Sequence, residues 1–118
     1  MTDGVKTSAE ERRIDVRYPV LVPGEVDTLA GPVPIQAVNL GAKGVGVCVD
    51  APLLVGSTVR LRLINDPDGE DPIAVLGEVK WCSEHVEVGF HAGIRITGMD
   101  PMVEARWRAW LMRLEEAA

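Results

Sequence analysis

Branched aliphatic side chains recur at every second position through most of this chain, and the spacing becomes helical only near its end. Val59, Leu61 and Leu63 alternate with Arg60 and Arg62, and Val45, Val47 and Val49 alternate with glycine and cysteine. A period of two sends one set of side chains into a core and the other into water, as in half-buried strands. The pattern predicts strands over 20–26, 35–38, 45–49, 58–64, 73–81 and 86–97. Ile73, Val75, Val79 and Trp81 are assigned to one buried face. Val86, Val88, Phe90, Ala92, Ile94 and Ile96 form the longest alternation, in which Gly89 and Gly93 would let the strand coil around a closed or nearly closed sheet.

The breaks fall between these runs. Pro23 and Gly24 mark an edge position or a bulge. Turns are predicted at Gly31-Pro32-Val33-Pro34, from Asn39 to Gly44, at Ala51-Pro52, at Val55-Gly56-Ser57 and at Ser83-Glu84-His85. Asp100-Pro101 supplies an N-cap followed by proline at the first helical position. Beyond it, Val103, Trp107, Trp110, Leu111 and Leu114 share a face, with Glu104, Arg108 and Glu115 turned outward. The expected fold is mainly β: a small six- or seven-stranded antiparallel barrel with a C-terminal α-helix packed against it. Residues 1–11 read as a flexible N-terminal arm and 12–118 as one domain, with the barrel at about 18–98 and the helix at about 101–116.

Composition narrows the function classes. A chain of 118 residues buries about two thirds of its unfolded surface, so neither disulfide nor metal is needed for folding. The net charge of −6 argues against gripping duplex nucleic acid, which takes clustered cations. A few converging arginines could still hold a small anion. No secretory leader or membrane-spanning run is present, so the sequence reads as cytoplasmic, with Cys48 and Cys82 as reduced thiols. His85 and His91 have no serine or cysteine placed beside them by a nucleophile motif, and an enzyme is not expected. Cys48, Cys82, His85 and His91 lack the paired spacing of a zinc site. The acidic loop from Asn65 to Pro72 lacks the ligand ladder of a calcium loop and reads as a solvated turn.

Two stretches carry the remaining chemistry. Arg12-Arg13-Ile14-Asp15-Val16-Arg17 packs three arginines into six residues, and Arg13 and Arg17 point the same way whether the segment is helical or extended. Left alone, it is a solvated charged arm offset by Glu10, Glu11 and Asp15. Asn39-Leu40-Gly41-Ala42-Lys43-Gly44 is a polar turn whose glycines permit positive φ and close approach of a ligand or second segment. Left alone, it is a hairpin corner.

Taken together and in this order, the two stretches resemble the PilZ domain, whose signatures are RxxxR near the N-terminus and [D/N]xSxxG at a barrel turn. The strand count, the Val88-Gly89-Phe90 segment and the closing helix suit the same family. The resemblance implies a receptor for cyclic di-GMP that signals to a protein partner, with motility, adhesion or surface-polymer control as the family's outputs. It implies no cofactor beyond that ligand, and no membrane insertion. Arg13 and Arg17 match the paired arginines, Asn39 the residue reading a guanine edge, and Gly44 the open glycine; Arg12 stands beside the motif. Gly41 occupies the serine position, so one hydroxyl is missing and weakened affinity is expected. The alternative is a PilZ-like protein that has lost the nucleotide and acts through protein contacts alone.

Overall fold

The computed structural model describes residues 16–64 and 72–117. The arm at 1–11, Arg12, Arg13 and the acidic loop at 65–71 lie outside the described residues. Six strands, β1 (Arg17–Thr28), β2 (Gly31–Gly41), β3 (Gly44–Val49), β4 (Thr58–Leu63), β5 (Ile73–His85) and β6 (Gly89–Gly98), precede one helix, α1 (Pro101–Ala117). They form a closed barrel in the order β1-β2-β3-β6-β5-β4, with every neighbouring pair antiparallel.

The inner face is built from the alternating aliphatics. Val26, Leu40, Val45, Leu61, Leu63, Ile73 and Val79 are wholly buried. Each such side chain contributes about 1.5–3 kcal/mol relative to exposure. On the outer face Arg62 closes the seam between β1 and β4. Its guanidinium donates to both carboxylate oxygens of Asp27 at 2.8 Å and to Glu25 at 2.9 Å. That fork, chiefly the hydrogen bonds from Arg62, holds the Asp27 carboxyl below the usual carboxylate range.

Four sequence expectations are corrected. The first concerns Gly31-Pro32-Val33-Pro34, which forms no turn but opens β2. The β2–β3 ladder begins only at Ile35, so Pro32 and Pro34 sit where β2 is paired with β1 alone and has an open edge. Second, Asn39, Leu40 and Gly41 continue β2, and only Ala42 and Lys43 turn. Positive φ, expected of that turn's glycines, occurs instead at Gly31, Gly56 and Gly89.

Third, Ser83-Glu84-His85 extends β5, and the turn falls at 86–88, with Val86 fully exposed. The strand predicted from 86 therefore starts at Gly89. Fourth, Trp81 leaves the buried face. Val79 pairs with Ile94 and Trp81 with Gly93, so the extra residue Lys80 makes a bulge that reverses the alternation. Trp81 is half exposed on the outer surface.

Helix α1 starts as its cap predicts. Asp100 accepts the Met102 amide at its side chain and the Glu104 amide at its carbonyl, at 3.0 and 2.8 Å. Trp107 and Trp110 are buried edge to face, with centroids 5.9 Å apart, and Val103, Leu111 and Leu114 pack on the core beside them.

Two outcomes follow for stability. Leu61→Ala should cost about 2–5 kcal/mol in denaturant unfolding, whereas Leu21→Ala, at an exposed site, should stay within about 0.5 kcal/mol. Because the Asp27 pKa is lower folded than unfolded, its contribution is present above the unfolded value and lost as pH falls through the folded one. The melting-temperature gap between the natural protein and Asp27→Asn should be present at pH 7 and close as pH drops below about 4.

Candidate functional site

The outer face of the barrel carries a glycine floor. Inward-pointing Val45 and Val47 leave Gly44 and Gly46 facing outward on β3, and on β6 Gly93 is the direct partner of Gly46. All three glycines are nonetheless buried, because side chains from neighbouring strands lie across them. The Arg17 guanidinium rests on Gly44, the Asn39 amide on Gly46 and the Trp81 indole on Gly93. A Cβ at any of the three would overlap the covering side chain, and at Gly44 it would also stand 3.0 Å from the Ile94 carbonyl oxygen.

Over that floor the two motif stretches meet. Arg17 Nη1 donates to Asn39 Oδ1 at 2.8 Å, although the residues are 22 apart in sequence. The β1–β2 register pairs Arg17 with Gly41 and Pro19 with Asn39, so strand pairing itself brings the arginine to the turn. Arg95, exposed on β6, is the ladder partner of Gly44. Lys43 stands at the tip of the turn between β2 and β3. The result is a cationic rim on an otherwise acidic protein.

The structure thus brings together Arg17, Asn39 and Gly44 of the predicted set. Gly41 lies beside them and is buried, and its carbonyl accepts the Trp107 indole N–H at 3.0 Å. Arg12 and Arg13 lie outside the described residues, on the chain leading into Arg17. Sequence reading missed Trp81, Gly46, Gly93 and Arg95. Gly93 was the available signal for Trp81: an outward glycine within a long strand marks a place where something bulky crosses.

A guanidinium, an amide and an indole edge over flat backbone suit a planar, anionic ligand. Guanidinium binds phosphate oxygens or the O6 and N7 edge of guanine, the amide reads donor and acceptor edges, and the indole offers a stacking surface. Cys48 and Cys82 are free thiols, and burial raises the Cys48 pKa. The His85 and His91 rings lie 4.7 Å apart near the β5–β6 turn, and His85 Nδ1 accepts the Glu87 amide. Among the described residues no three His, Cys, Asp or Glu side chains gather to hold a metal ion. Among them, too, no helix is long and apolar enough to cross a membrane.

The PilZ domain family model matches residues 11–113, nearly the whole chain. The chain belongs to the PilZ domain family. Solved structures share its fold, two of them PilZ domains. Against the Bacillus subtilis inhibitor of motility MotI/DgrA the TM-score is 0.72 at 13% identity, covering 91% of this chain and 53% of that one. Against the PilZ domain of Escherichia coli YcgR with c-di-GMP it is 0.70 at 12% identity, covering 90% and 93%. Against the PilZ domain of CeSA from a cellulose-synthesizing bacterium it is 0.62 at 20% identity, covering 84% and 97%. The chain therefore spans about half of MotI/DgrA but nearly all of the two isolated PilZ domains. No curated protein matches the sequence.

The floor makes a specific demand on Gly44. In Gly44→Ala the new methyl should displace the Arg17 side chain while the barrel still folds, with melting lowered by only a few degrees. A crystal structure of the variant should show the Arg17–Asn39 hydrogen bond broken; its survival at 2.8 Å would mean that the floor tolerates a Cβ.

Proposed function

We propose that this PilZ domain is a cyclic di-GMP receptor that passes the signal to a protein partner. The observation that carries the reading is the hydrogen bond between Arg17 and Asn39 across Gly44, which joins the arginine motif and the glycine turn in one outer-face site. Family membership and the likeness to a YcgR domain solved with c-di-GMP support it. In this reading the Arg17 guanidinium leaves Asn39 for a phosphate or guanine, freeing the amide to read a guanine edge. Trp81 supplies stacking area and Arg95 a further positive charge. Arg12 and Arg13 add cations from the entering chain, and Gly44 keeps the approach open.

A second reading is favoured by Gly41, which stands where the family has serine. Without that hydroxyl the domain would have lost the nucleotide and would act by protein contact alone.

Calorimetric titration with cyclic di-GMP separates the two. The natural protein should bind, and Arg17→Ala should weaken binding roughly 10- to 100-fold, as expected for loss of a charge-assisted bond. Trp81→Ala should weaken it roughly 5- to 100-fold through lost stacking. Absence of heat at high-micromolar nucleotide would leave only the protein-contact reading, and an Arg17→Ala variant that binds as well as its parent would place the nucleotide somewhere other than this site.

A further inference from the structure

We propose that Trp107 is a positioning residue for the nucleotide turn, so that docking of α1 and occupation of the outer-face site are linked through the Gly41 carbonyl. The inference rests on the proposed function only for the identity of the ligand.

Trp107 is the largest fully buried side chain of the barrel and helix together, at 2% exposed. Its indole is held edge to face against Trp110 at an interplanar angle of 78°. From there Nε1 donates to the Gly41 carbonyl at 3.0 Å, a buried bond between residues 66 apart. Gly41 is also the ladder partner of Arg17, and so belongs to both the helix contact and the candidate site. On the far side of the turn the Lys43 carbonyl accepts the Ile96 amide at 2.8 Å. The two-residue turn is therefore pinned at both flanks, once by the barrel and once by the helix.

The two pins differ in kind. The Ile96 bond lies just beyond the Gly44–Arg95 end of the β3–β6 ladder, so it opens with the turn without the ladder having to open. The Trp107 bond belongs to a helix docked from outside, which can shift while the barrel stays closed. A groove of about 350 Å³ runs between turn and helix, lined by Lys43, Met99, Trp107, Arg108 and Leu111 among others. Displacing α1 along that groove would release the Gly41 carbonyl and let the turn relax. By reciprocity, a ligand that needs the turn in its present shape favours the docked helix.

Trp107→Phe keeps an aromatic ring but removes the donor. Trp110→Phe trims the neighbouring buried indole on the same helix, and so controls for general loosening of the helix. In ligand-free protein, Trp107→Phe should speed hydrogen exchange at the Ile96 amide roughly threefold to tenfold, the range of one neutral hydrogen bond, and Trp110→Phe should not. Titration with cyclic di-GMP should show a similar loss of affinity in Trp107→Phe only. Equal Ile96 exchange in the two variants would overturn the proposal. A natural protein that binds no cyclic di-GMP would instead overturn the proposed function, and the exchange comparison would still decide the role of Trp107.

Discussion

Three missing Cβ atoms organise the outer face of this barrel. Gly44, Gly46 and Gly93 lie on adjacent strands, and the side chains of Arg17, Asn39 and Trp81 close over them. Adjacent antiparallel strands are about 5 Å apart, so the amide over Gly46 and the indole over Gly93 face one another across a single strand spacing. A methyl at any of these positions would lift one covering group and open the arrangement. The need is for closeness, not for left-handed backbone, since none of the three has positive φ.

The same floor explains how an acidic chain presents a cationic site. With a net charge of −6, the long-range field repels anions, and attraction has to be local. Pairing Arg17 with Gly41 and Arg95 with Gly44 sets two guanidiniums on either side of the β2–β3 hairpin, with Lys43 at its tip. Arg62, by contrast, is committed to Asp27 and Glu25 on the β1–β4 seam and serves barrel closure. Arg95 differs from Arg62 in position, since it sits between Gly44 on β3 and Glu78 on β5, beside the floor and not on the β1–β4 seam.

Much of this was legible in the chain because the interior obeys a period of two. Val59, Leu61 and Leu63, and Val45, Val47 and Val49, point inward as their spacing requires. Asn39 and Arg17 were legible as a pair through motif order, which stands in for the register that joins them. Trp81 was not, because one inserted residue at Lys80 reverses every inside-outside assignment after it and leaves no mark in composition. The prolines of β2 misled for a related reason: they forbid a ladder bond on one side only, and that side here is an open edge. The Trp107 contact with Gly41 spans 66 residues and depends on where the helix lands, which no local pattern encodes.

That contact also changes what glycine at position 41 means. In a free loop, glycine would add about 0.5–1 kcal/mol of ordering cost, and a ligand would have to meet it on top of the missing serine hydroxyl. Gly41 is not in a free loop. It ends a strand, pairs with Arg17, and has its carbonyl held by a buried indole. Its ordering cost is therefore met when the protein folds, and only the absent hydroxyl remains to be counted against binding. At about 0.5–1.5 kcal/mol for a neutral hydrogen bond, that is a loss of about tenfold at most, against about 1.5–3 kcal/mol for each charge-assisted bond in the proposed receptor. The helix restores to the turn the rigidity that the substitution removes.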